Sequence, residues 1–542
     1  MHYVNSADKW LKCSFFKGGD FCMKFAVNSQ EMKIYDRNTS EYFGIPSIVL
    51  MERASLKVVE NIEKWLDEKK LDRRVRALVI CGVGNNGGDG ACIARLLKQK
   101  GIYVNICIVG DYTKCSDLLL QQLKILEKYG TTPDTFSNIR DNKCASEWDI
   151  IVDAIFGIGL SRPVSGDFAE AVRYINNCKT ERQSDLLVAS VDIPSGINAD
   201  NGKVCGSAVN ADITVTFNQI KLGHILYPGC EYLGKLIVED VGITDDSFLS
   251  KEPGAIFYDE DIADLLPQRV LDGNKGTNGK VLIIAGSKDI SGACLLAANS
   301  CMKAGAGMVK IFTASENAEV IKALLPEAML VTYEDFEPFN DKLELCFEWA
   351  SAVVLGPGIG TMQSGYELTR QTLSEYKGNL VVDADALNLV ASHHELRELM
   401  SNYARNGRKL IVTPHLGEFA RLFDRDVRDC KEHILEYPRE LADNLHCTVV
   451  CKDARTVIAD SKEKKIYINM SGNDGMAPAG SGGVLSGILG AFMAFDRSAF
   501  EIACLGVYLH GLSGDRGALE KGKHSMVASD IIIGMEDILR EI

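Results

Sequence analysis

The sequence has no run of about 18 consecutive apolar residues, the length that a membrane-spanning helix needs. Its first 22 residues also lack the continuous apolar stretch of a signal peptide. The net charge of −15 is not that of a chain that binds nucleic acid or an anionic membrane over a broad surface. We therefore expect no membrane partner and no nucleic-acid partner, although an anionic substrate would still need a local basic pocket.

The 17 cysteines include no Cys-x-x-Cys pair, and the shortest spacing is that between Cys447 and Cys451. Several cysteines lie within apolar runs, where the residue acts as a small hydrophobe. This usage predicts a reduced, cytoplasmic protein without structural disulfides and without a zinc site.

Short apolar segments alternate with helical ones along most of the chain, the pattern of a doubly wound α/β sheet. The alternation pauses in the polar, Pro- and Gly-punctuated segment 243–269 and then resumes. We predict two α/β domains, 23–245 and 257–542, joined by a linker over 246–256. Residues 1–22 are either a disordered extension or a segment that precedes a natural start at Met23. The predicted strands lie within 75–84, 102–111, 148–159, 186–196, 280–287, 351–360, 379–388, 409–418 and 448–456.

The stretch CGVGNNGGDGACIARLL (81–97) follows the first predicted strand and has the Gly-x-Gly-x-x-Gly spacing of a dinucleotide-binding loop. A pyrophosphate at such a loop needs bare N–H groups at a helix N-terminus. Asp89 would compete with a phosphate for those groups and repel it. Simple pyrophosphate binding at this loop is therefore disfavoured, despite the glycine spacing.

Polar residues also follow the neighbouring strands, and in a parallel sheet the strand ends meet at one edge. Asn86, Asp153 and Ser195 supply the hard oxygen donors that suit a hard cation rather than zinc. Asp192 would then be free for proton transfer. Each of these aspartates, taken alone, could equally cap a helix or close a turn.

The segments MKIYDRNTSEYFGIPSIVLMERAS (32–55), GVGNNGGDGACIARLL (82–97), VDAIFGIGLSRPV (152–164) and VDIPSGINADNG (191–202) closely resemble the epimerase domain of bifunctional NAD(P)H-hydrate repair enzymes. The resemblance covers about 23–245 and implies a Rossmann-like fold that binds NADHX or NADPHX, the cofactor hydrated on its nicotinamide ring. It implies that Asp192 binds the substrate and shuttles a proton, and that Asn86, Asp153 and Ser195 bind potassium. The implied substrate contacts are Asn85, Asn86, Gly87, Gly88, Asp89, Gly157, Ile158, Gly159, Leu160, Ser161, Arg162, Pro163 and Asp192.

In the second half, GSGGVLSGILGAF (480–492) starts with glycines and continues as an apolar helix. Gly480, Gly482 and Gly483 would present N–H groups to an anion at the helix N-terminus. Lys452 and Arg455 follow an earlier strand and suit the phosphates or the base surroundings of a nucleotide. His415 also follows a strand; alone it would be structural, but among polar strand ends we interpret it as a ligand contact.

This half resembles the dehydratase domain of the same enzymes, which has a ribokinase-like fold, through KGTNGKVLIIAGS, VVLGPGIG, VVDADALN, VTPHLGEFARL and GNDGMAPAGSGGVLSG. The resemblance covers about 257–542 and implies ADP or ATP with magnesium as the phosphate source. The ring hydroxyl is phosphorylated and phosphate is then expelled, which regenerates NADH or NADPH. The implied contacts to the hydrate are Ala293, Gly358, Gly360 and His415, and those to the nucleotide are Lys452, Asp453, Ala454, Arg455, Thr456 and Gly482.

The sequence departs from the family pattern at three positions. Asp453 replaces a glycine and Leu416 replaces a proline, and we expect both changes to be tolerated. The third is Gly483, which stands where the family has the aspartate that deprotonates the accepting hydroxyl. We therefore expect a slow or absent dehydratase step, unless a neighbouring carboxylate such as Asp474 takes over.

Bifunctional repair of NAD(P)H hydrates, with an isomerase and a lyase activity, explains both halves of the chain. A ribokinase-type small-molecule kinase would leave the first half unexplained, and a nucleotide-binding scaffold or an epimerase with an inactive second domain is the alternative if Gly483 stops turnover. We also expect a homo-oligomer, whose subunit number the sequence leaves open.

Overall fold

A computed structural model describes residues 24–70, 74–142, 147–259, 265–266, 272–335 and 338–542. The chain divides into two units, Phe25–Gly254 and Ala255–Ile542. The expectations for residues 1–22 and for a start at Met23 lie outside the described residues. Within the described ranges, no helix is both long enough and apolar enough to cross a membrane.

The first unit is built on a seven-stranded parallel sheet with the strand order β4-β3-β2-β5-β6-β7-β9. Outside these seven strands, β1 pairs in parallel with β8, and Val27 is aligned with Lys221. The strands are β1 (Lys24–Val27), β2 (Arg76–Cys81), β3 (Tyr103–Ile108), β4 (Asp134–Thr135), β5 (Ile150–Ala154), β6 (Leu187–Val191), β7 (Ile213–Phe217), β8 (Ile220–Lys221) and β9 (Lys235–Glu239).

Helices cover both faces of this sheet. They are α1 (Ser29–Glu41), α2 (Ser47–Lys69), α3 (Asn85–Gln99), α4 (Asp117–Lys128), α5 (Phe136–Asn142), α6 (Gly166–Arg182) and α7 (Leu222–Ile225). Because successive side chains of a strand point to opposite faces, alternate residues of β2 enter two different cores. Val79 and Cys81 pack with residues of α2 and α3, whereas Leu78 and Ile80 pack with Trp148 and residues of α6.

The second unit has the strand order β13-β12-β11-β14-β15-β16-β17-β18-β19-β10. The strands from β11 to β17 pair in parallel, and β18 pairs antiparallel to both of its neighbours. The strands are β10 (Ala255–Phe257), β11 (Lys280–Ile284), β12 (Met308–Ala314), β13 (Met329–Tyr333), β14 (Ala352–Leu355), β15 (Asn379–Val382), β16 (Leu410–Val412), β17 (Thr448–Cys451), β18 (Val457–Asp460) and β19 (Ile466–Ile468).

The helices of this unit pack on both faces of its sheet. They are α8 (Gly292–Lys303), α9 (Ala318–Leu324), α10 (Asn340–Trp349), α11 (Gln363–Glu375), α12 (Ala384–Ser392), α13 (His394–Arg405), α14 (Leu416–Phe423), α15 (Val427–Glu432), α16 (Tyr437–Leu445), α17 (Ser481–Phe492), α18 (Ala499–Lys521) and α19 (Ala528–Glu541). Helix α17 lies so close to the sheet that a Cβ on Gly490 would come within 2.5 Å of Val354 Cγ2.

The prediction of doubly wound α/β architecture is confirmed, and each of the nine strands predicted above is present. Several observed strands were not predicted, among them β7 and β12 of the parallel sheets. Two more are the antiparallel strands β18 and β19. Both are short, and their apolar residues are too few to show a period of their own in the sequence.

The cysteines in the described part of the chain are free thiols, and most of them are buried. Burial raises the pKa of thiols such as Cys81 and Cys451 above the usual range. These thiols are therefore protonated at neutral pH and act as small apolar core residues.

Candidate active sites

The glycines at the end of β2 permit a close approach between backbone segments. A Cβ on Gly82 would lie 2.0 Å from the carbonyl oxygen of Ile155, and one on Gly87 would lie 1.9 Å from the carbonyl oxygen of Gly82. Gly88 packs against the Met51 side chain, which a Cβ would meet at 2.7 Å. The glycine spacing therefore serves the packing of α3 against the sheet, one of the roles that such glycines have in dinucleotide-binding folds.

The Asn-Asn-Gly-Gly-Asp run belongs to a helix, and our interpretation of it as a loop is corrected. Helix α3 begins at Asn85, directly after Gly84, so Asp89 lies in its second turn. The helix starts this early because the glycines allow it to pack against the strand end. The first turn of α3 points at the place where the strand order reverses between β2 and β5, the usual ligand position in an open α/β sheet.

A cavity of ≈ 190 Å³ lies beside this helix. Its lining includes Asn85, Asp89, Ile158 and Asp192 from the predicted set, together with Lys221. Apolar cavities of about 150 Å³ can hold a benzene molecule. The cavity therefore has room for one six-membered ring.

Asp192 follows β6 and is the centre of a buried polar network. Its Oδ1 accepts hydrogen bonds from Lys221 Nζ at 2.6 Å and from Thr216 Oγ1 at 2.9 Å. The Lys221 side chain is only 1% exposed. The backbone of Asp192 is left-handed, with φ 66°, an uncommon conformation for a residue other than glycine. Such backbone conformations are concentrated at functional sites.

His224 supports Asp192 from the other side. The ring atom Nδ1 accepts the N–H of Lys221 at 3.1 Å, so Nε2 carries the proton and donates to the carbonyl oxygen of Asp192 at 3.0 Å. Burial, with the Lys221 charge nearby, lowers the pKa of His224 to about 3. The imidazole is therefore neutral and acts as a fixed support for Asp192.

The pKa values of Asp192 and Asp89, two carboxyl groups of the cavity, are shifted in opposite directions. Burial alone would raise the pKa of Asp192, but the Lys221 ammonium outweighs it and holds that pKa below its usual range. Burial, together with the charges of Asp192 and Asp36, raises the pKa of Asp89 well above its usual range. Asp192 with a lowered pKa and Asp89 with a raised pKa thus line the same cavity, and the two shifts have the directions that a general base and a general acid need.

The three predicted potassium ligands lie around the turn that follows β5. Asp153 is fully buried, and its Oδ1 accepts a hydrogen bond from Ser195 Oγ at 2.5 Å. The Asn86 side chain lies against Gly157, where a Cβ would be 3.3 Å from Asn86 Oδ1, and Ser195 Oγ accepts the N–H of the adjacent Phe156 at 2.8 Å. The amide nitrogen Nδ2 of Asn86 is buried without a hydrogen-bond partner.

The residues of the predicted substrate loop 157–163 have different surroundings in the structure. Ile158 lines the cavity and Gly157 contacts Asn86. Leu160 is turned into the core, where it packs with the residues around Trp148. The residues on the exposed part of the loop are Gly159, Ser161, Arg162 and Pro163.

In the second unit, neighbouring parallel strands place polar residues along one sheet edge. Asp383 follows β15, His415 follows β16 and Lys452 follows β17, and these three strands are adjacent. His415 and Lys452 pair directly as a parallel bridge. Strand β14 lies next to β15 and leads into Gly358.

A buried ion pair lies at the centre of this edge. Lys452 Nζ donates to Asp383 Oδ1 at 2.9 Å, and the Asp383 side chain is 3% exposed. The other oxygen, Oδ2, accepts from Ser486 Oγ of α17 at 2.6 Å. Glu418 lies nearby; burial raises its pKa, the Lys452 charge opposes that rise and the Asp383 charge adds to it.

The first turn of α17, which contains Gly482 and Gly483 and is called the glycine turn below, lies next to this ion pair. A Cβ on Gly482 would be 3.2 Å from Lys452 Nζ and 3.8 Å from Asp383 Oδ2. A Cβ on Gly483 would have only the Ala293 carbonyl oxygen nearby, at 3.7 Å. A Cβ on Gly358 would in turn lie 2.9 Å from Ala293 Cβ. The structure thus brings together Ala293, Gly358, Lys452, Gly482 and Gly483.

The remaining predicted residues of this unit have other contacts. His415 caps α14, since its Nδ1 accepts the N–H of Gly417 at 3.0 Å, and its side chain is 56% exposed. The Gly360 N–H donates to Asp385. Arg455 donates to the Met470 carbonyl oxygen, and Asp453 lies 3.9 Å from Lys431. Ala454 is exposed and Thr456 is partly exposed.

The sequence interpretation missed Lys221, Thr216 and His224 in the first unit, and Asp383, Glu418 and Ser486 in the second. Lys221 had a signal, because a lysine in the apolar stretch IKLGHIL is unusual unless it has a buried partner. Asp383 also had one, since it directly follows an apolar strand in VVDADALN.

Two protein families match this chain. Residues 47–223 match the family described as the YjeF-related protein N-terminus, and residues 281–535 match NAD(P)H-hydrate dehydratase. The first match falls within the first unit and the second match within the second unit.

Relatives that resemble the chain along nearly its whole length are bifunctional NAD(P)H-hydrate repair enzymes. The one from Moorella thermoacetica is 34% identical over 533 residues, which cover 96% of this chain and 97% of the relative. The one from Escherichia coli K12 is 32% identical and covers 85% and 84%, respectively. Among solved structures, the ADP/ATP-dependent NAD(P)H-hydrate dehydratase of Bacillus subtilis with ATP and Mg²⁺ is 26% identical, with a TM-score of 0.44, over 52% of this chain and 95% of that one.

Proposed function

The chain belongs to the bifunctional NAD(P)H-hydrate repair enzymes, and from this premise we propose that Asp192 and Asp89 exchange protons with the hydrated ring. The protein repairs NADH and NADPH that have been hydrated on the nicotinamide ring. It interconverts the R and S hydrates and dehydrates the S form in a nucleotide-dependent step. The observation that carries the residue assignment is the pairing of Asp192 with Lys221 inside a ring-sized cavity that Asp89 also lines.

The epimerised carbon carries a hydroxyl group and is bonded to the ring nitrogen. When the carbon–nitrogen bond opens, Asp192 accepts the hydroxyl proton, the oxygen forms a carbonyl, and the nitrogen takes the bond pair and a proton from Asp89. Closure on the opposite face of the carbonyl returns both protons and inverts the carbon. Lys221 lowers the pKa of Asp192, which favours its ionised form for the first step, and burial raises the pKa of Asp89, which favours its protonated form.

Potassium fits the residues around the turn after β5. Asp153 is a buried carboxylate that accepts hydrogen bonds from Ser190 and Ser195 but has no ion-pair partner in the described part of the chain, and a buried charge without a counter-charge is costly. Asn86, Asp153 and Ser195 all supply oxygen atoms, which suit a hard monovalent cation. The cation would balance the Asp153 charge and fix the turn that bears Ile158 beside the cavity.

In the second unit, an ADP or ATP molecule would place its phosphates against the N-terminus of α17. Gly482 leaves room for them, and the Lys452 ammonium is within reach of the same place. The first N–H groups of a helix have no partner inside the helix and attract anions. Magnesium bound with the nucleotide would supply charge neutralisation at the phosphates. The segment 452–456 would hold the rest of the nucleotide, and Ala293, Gly358, Gly360 and His415 the hydrate.

An Asp89→Asn variant tests the assignment of acid and base. The asparagine keeps the shape of the side chain but cannot donate a proton to the ring nitrogen. We expect the epimerisation rate to fall by about 100- to 10,000-fold, with binding of the hydrate retained. Chromatography of the two hydrates measures the rate against the spontaneous reaction. An unchanged rate would remove Asp89 from the mechanism.

A further inference from the structure

The phosphoryl transfer in the second unit needs a base, and Gly483 has no side chain to supply one. Family members have an aspartate at this position, as the resemblance implies. The nearest replacement must lie beside the glycine turn and must be able to reach a hydroxyl group bound between that turn and Ala293. Four described carboxylates near this sheet edge can be compared: Asp383, Asp385, Glu418 and Asp474.

Three of these four are turned to other partners. Asp474 is 79% exposed and forms an ion pair with Lys523 at 2.6 Å. Glu418 Oε2 accepts the N–H of His415 at 2.9 Å and thereby closes the cap of α14. Asp385 accepts the N–H of Gly360 at 2.9 Å.

Asp383 is the one that lies beside Gly482. Its Oδ2 lies 3.8 Å from the Cβ position of Gly482, the residue before Gly483. Ser486, one turn further along α17, fixes Oδ2 with a hydrogen bond, and Lys452 covers Oδ1. The following residue, Ala384, has φ 51°, so the backbone conformation that positions Asp383 is an uncommon one for alanine.

We propose that Asp383 is the general base that replaces the missing aspartate at position 483; this inference rests on the proposed dehydratase function. A nucleoside diphosphate draws the Lys452 ammonium to its phosphates, which uncovers Asp383 Oδ1. Oδ1 accepts the proton of the ring hydroxyl as the hydroxyl oxygen forms a bond to the terminal phosphorus. The bond from that phosphorus to the bridging oxygen breaks, and its electron pair leaves with the nucleoside monophosphate.

The experiment measures ADP-dependent return of the reduced-nicotinamide absorbance in the full chain with magnesium. We expect Asp383→Asn to lower kcat by about 100- to 10,000-fold while the thermal shift with ADP stays close to that of the unmodified protein. Asp460→Asn is the matched control, since Asp460 is a buried aspartate of the same unit that accepts from Thr448 at 2.6 Å away from the glycine turn. An Asp383→Asn variant with an unchanged kcat, or one that loses ADP binding, would overturn the assignment.

A second experiment restores the aspartate that the family has at position 483. The backbone at Gly483 accepts a side chain, because its φ is not in the left-handed region and its Cβ position is open. Adding Gly483→Asp to Asp383→Asn should return most of the lost rate, since a carboxylate again reaches the hydroxyl. No recovery in the double variant would contradict the proposal.

The activities of the unmodified chain and of Gly483→Asp distinguish a wrong assignment of Asp383 from a wrong dehydratase function. If the unmodified chain is inactive and Gly483→Asp alone is active, the unit binds the right ligands but Asp383 is not a base. If both are inactive, the dehydratase function itself is wrong for this chain. Should Asp383→Asn not fold, Ser486→Ala removes the hydrogen bond to Oδ2 without changing a charge. We expect that variant to lower kcat by about tenfold, and an equal kcat would overturn the proposal.

Discussion

Lys221 Nζ lies 2.6 Å from Asp192 Oδ1, and this ion pair connects two different elements of the first unit. Lys221 ends β8, whereas Asp192 follows β6. Removing one member of such a pair leaves the other charged and buried, which costs about 3–5 kcal/mol in comparable cases. The pair therefore links the proposed base to the stability of the unit, and variants at either position need a readout of folding as well as of activity.

Asp192→Asn should abolish most of the epimerase activity. The asparagine cannot accept the hydroxyl proton, so we expect the rate to fall by about 100- to 10,000-fold. The fold should persist with a lower melting temperature, because Lys221 loses its counter-charge. Chromatography of the hydrates and a thermal melt measure the two effects separately. Equal epimerisation by the variant and the unmodified protein would refute the role of Asp192.

Lys221→Met should shift the pH dependence of epimerisation. Lys221 lowers the pKa of Asp192, so without it the base is protonated up to a higher pH. The acid limb of the rate profile should therefore move to higher pH, and activity should recover partly on the alkaline side. Lys57→Met is the control, since Lys57 pairs with Glu60 at 3.0 Å and with Glu239 at 3.7 Å and is not among the residues that line the cavity. A profile that stays in place would show that Lys221 does not set the state of Asp192.

Potassium should stabilise the first unit through Ser195. We expect a higher melting temperature in potassium chloride than in choline chloride at equal ionic strength, with a gain that follows RT ln(1 + [L]/Kd). Ser195→Ala should remove the gain. Ser190→Ala should keep it, although Ser190 also donates to Asp153, at 2.8 Å. Identical gains in the two variants would count against a site at Ser195.

Adjacent glycines provide a test of the nucleotide site. Gly482→Ala should weaken ADP binding by at least tenfold, because its Cβ would lie 3.2 Å from Lys452 Nζ, where the phosphates are proposed to bind. Gly483→Ala should bind ADP nearly as well as the unmodified protein, since its Cβ position is open. Calorimetric titration with ADP and magnesium measures both constants. Similar losses in the two variants would place the phosphates elsewhere.

The strands and the order of the chemistry-bearing segments could be predicted from the sequence because buried parallel strands are continuous apolar runs. The partners of the charged groups could not. Lys221 reaches Asp192 only because β8 pairs with β1 rather than with the main sheet, and no local pattern shows that pairing. The residue types at 192 and 221 were visible, but the 2.6 Å contact depends on the tertiary fold.

The start of α3 was mispredicted for a related reason. Asparagine and glycine favour turns, so Asn85–Gly88 has the composition of a loop. The structure makes it helical because glycine alone allows α3 to approach the backbone at Gly82. Packing at this position outweighs the local preference of the residues.

The buried thiols give each unit its own internal probe. A protonated, enclosed cysteine reacts with a thiol reagent only when its surroundings open, so labelling rates report local opening rather than the average of the chain. Cys81 and Cys92 would report the first unit, and Cys451 and Cys504 the second. A single melting temperature merges the openings of two units, whereas peptide mapping of the label separates them. A hydrate analogue should then slow labelling of both pairs and ADP only that of the second, so one experiment without any substitution would assign each ligand to its units.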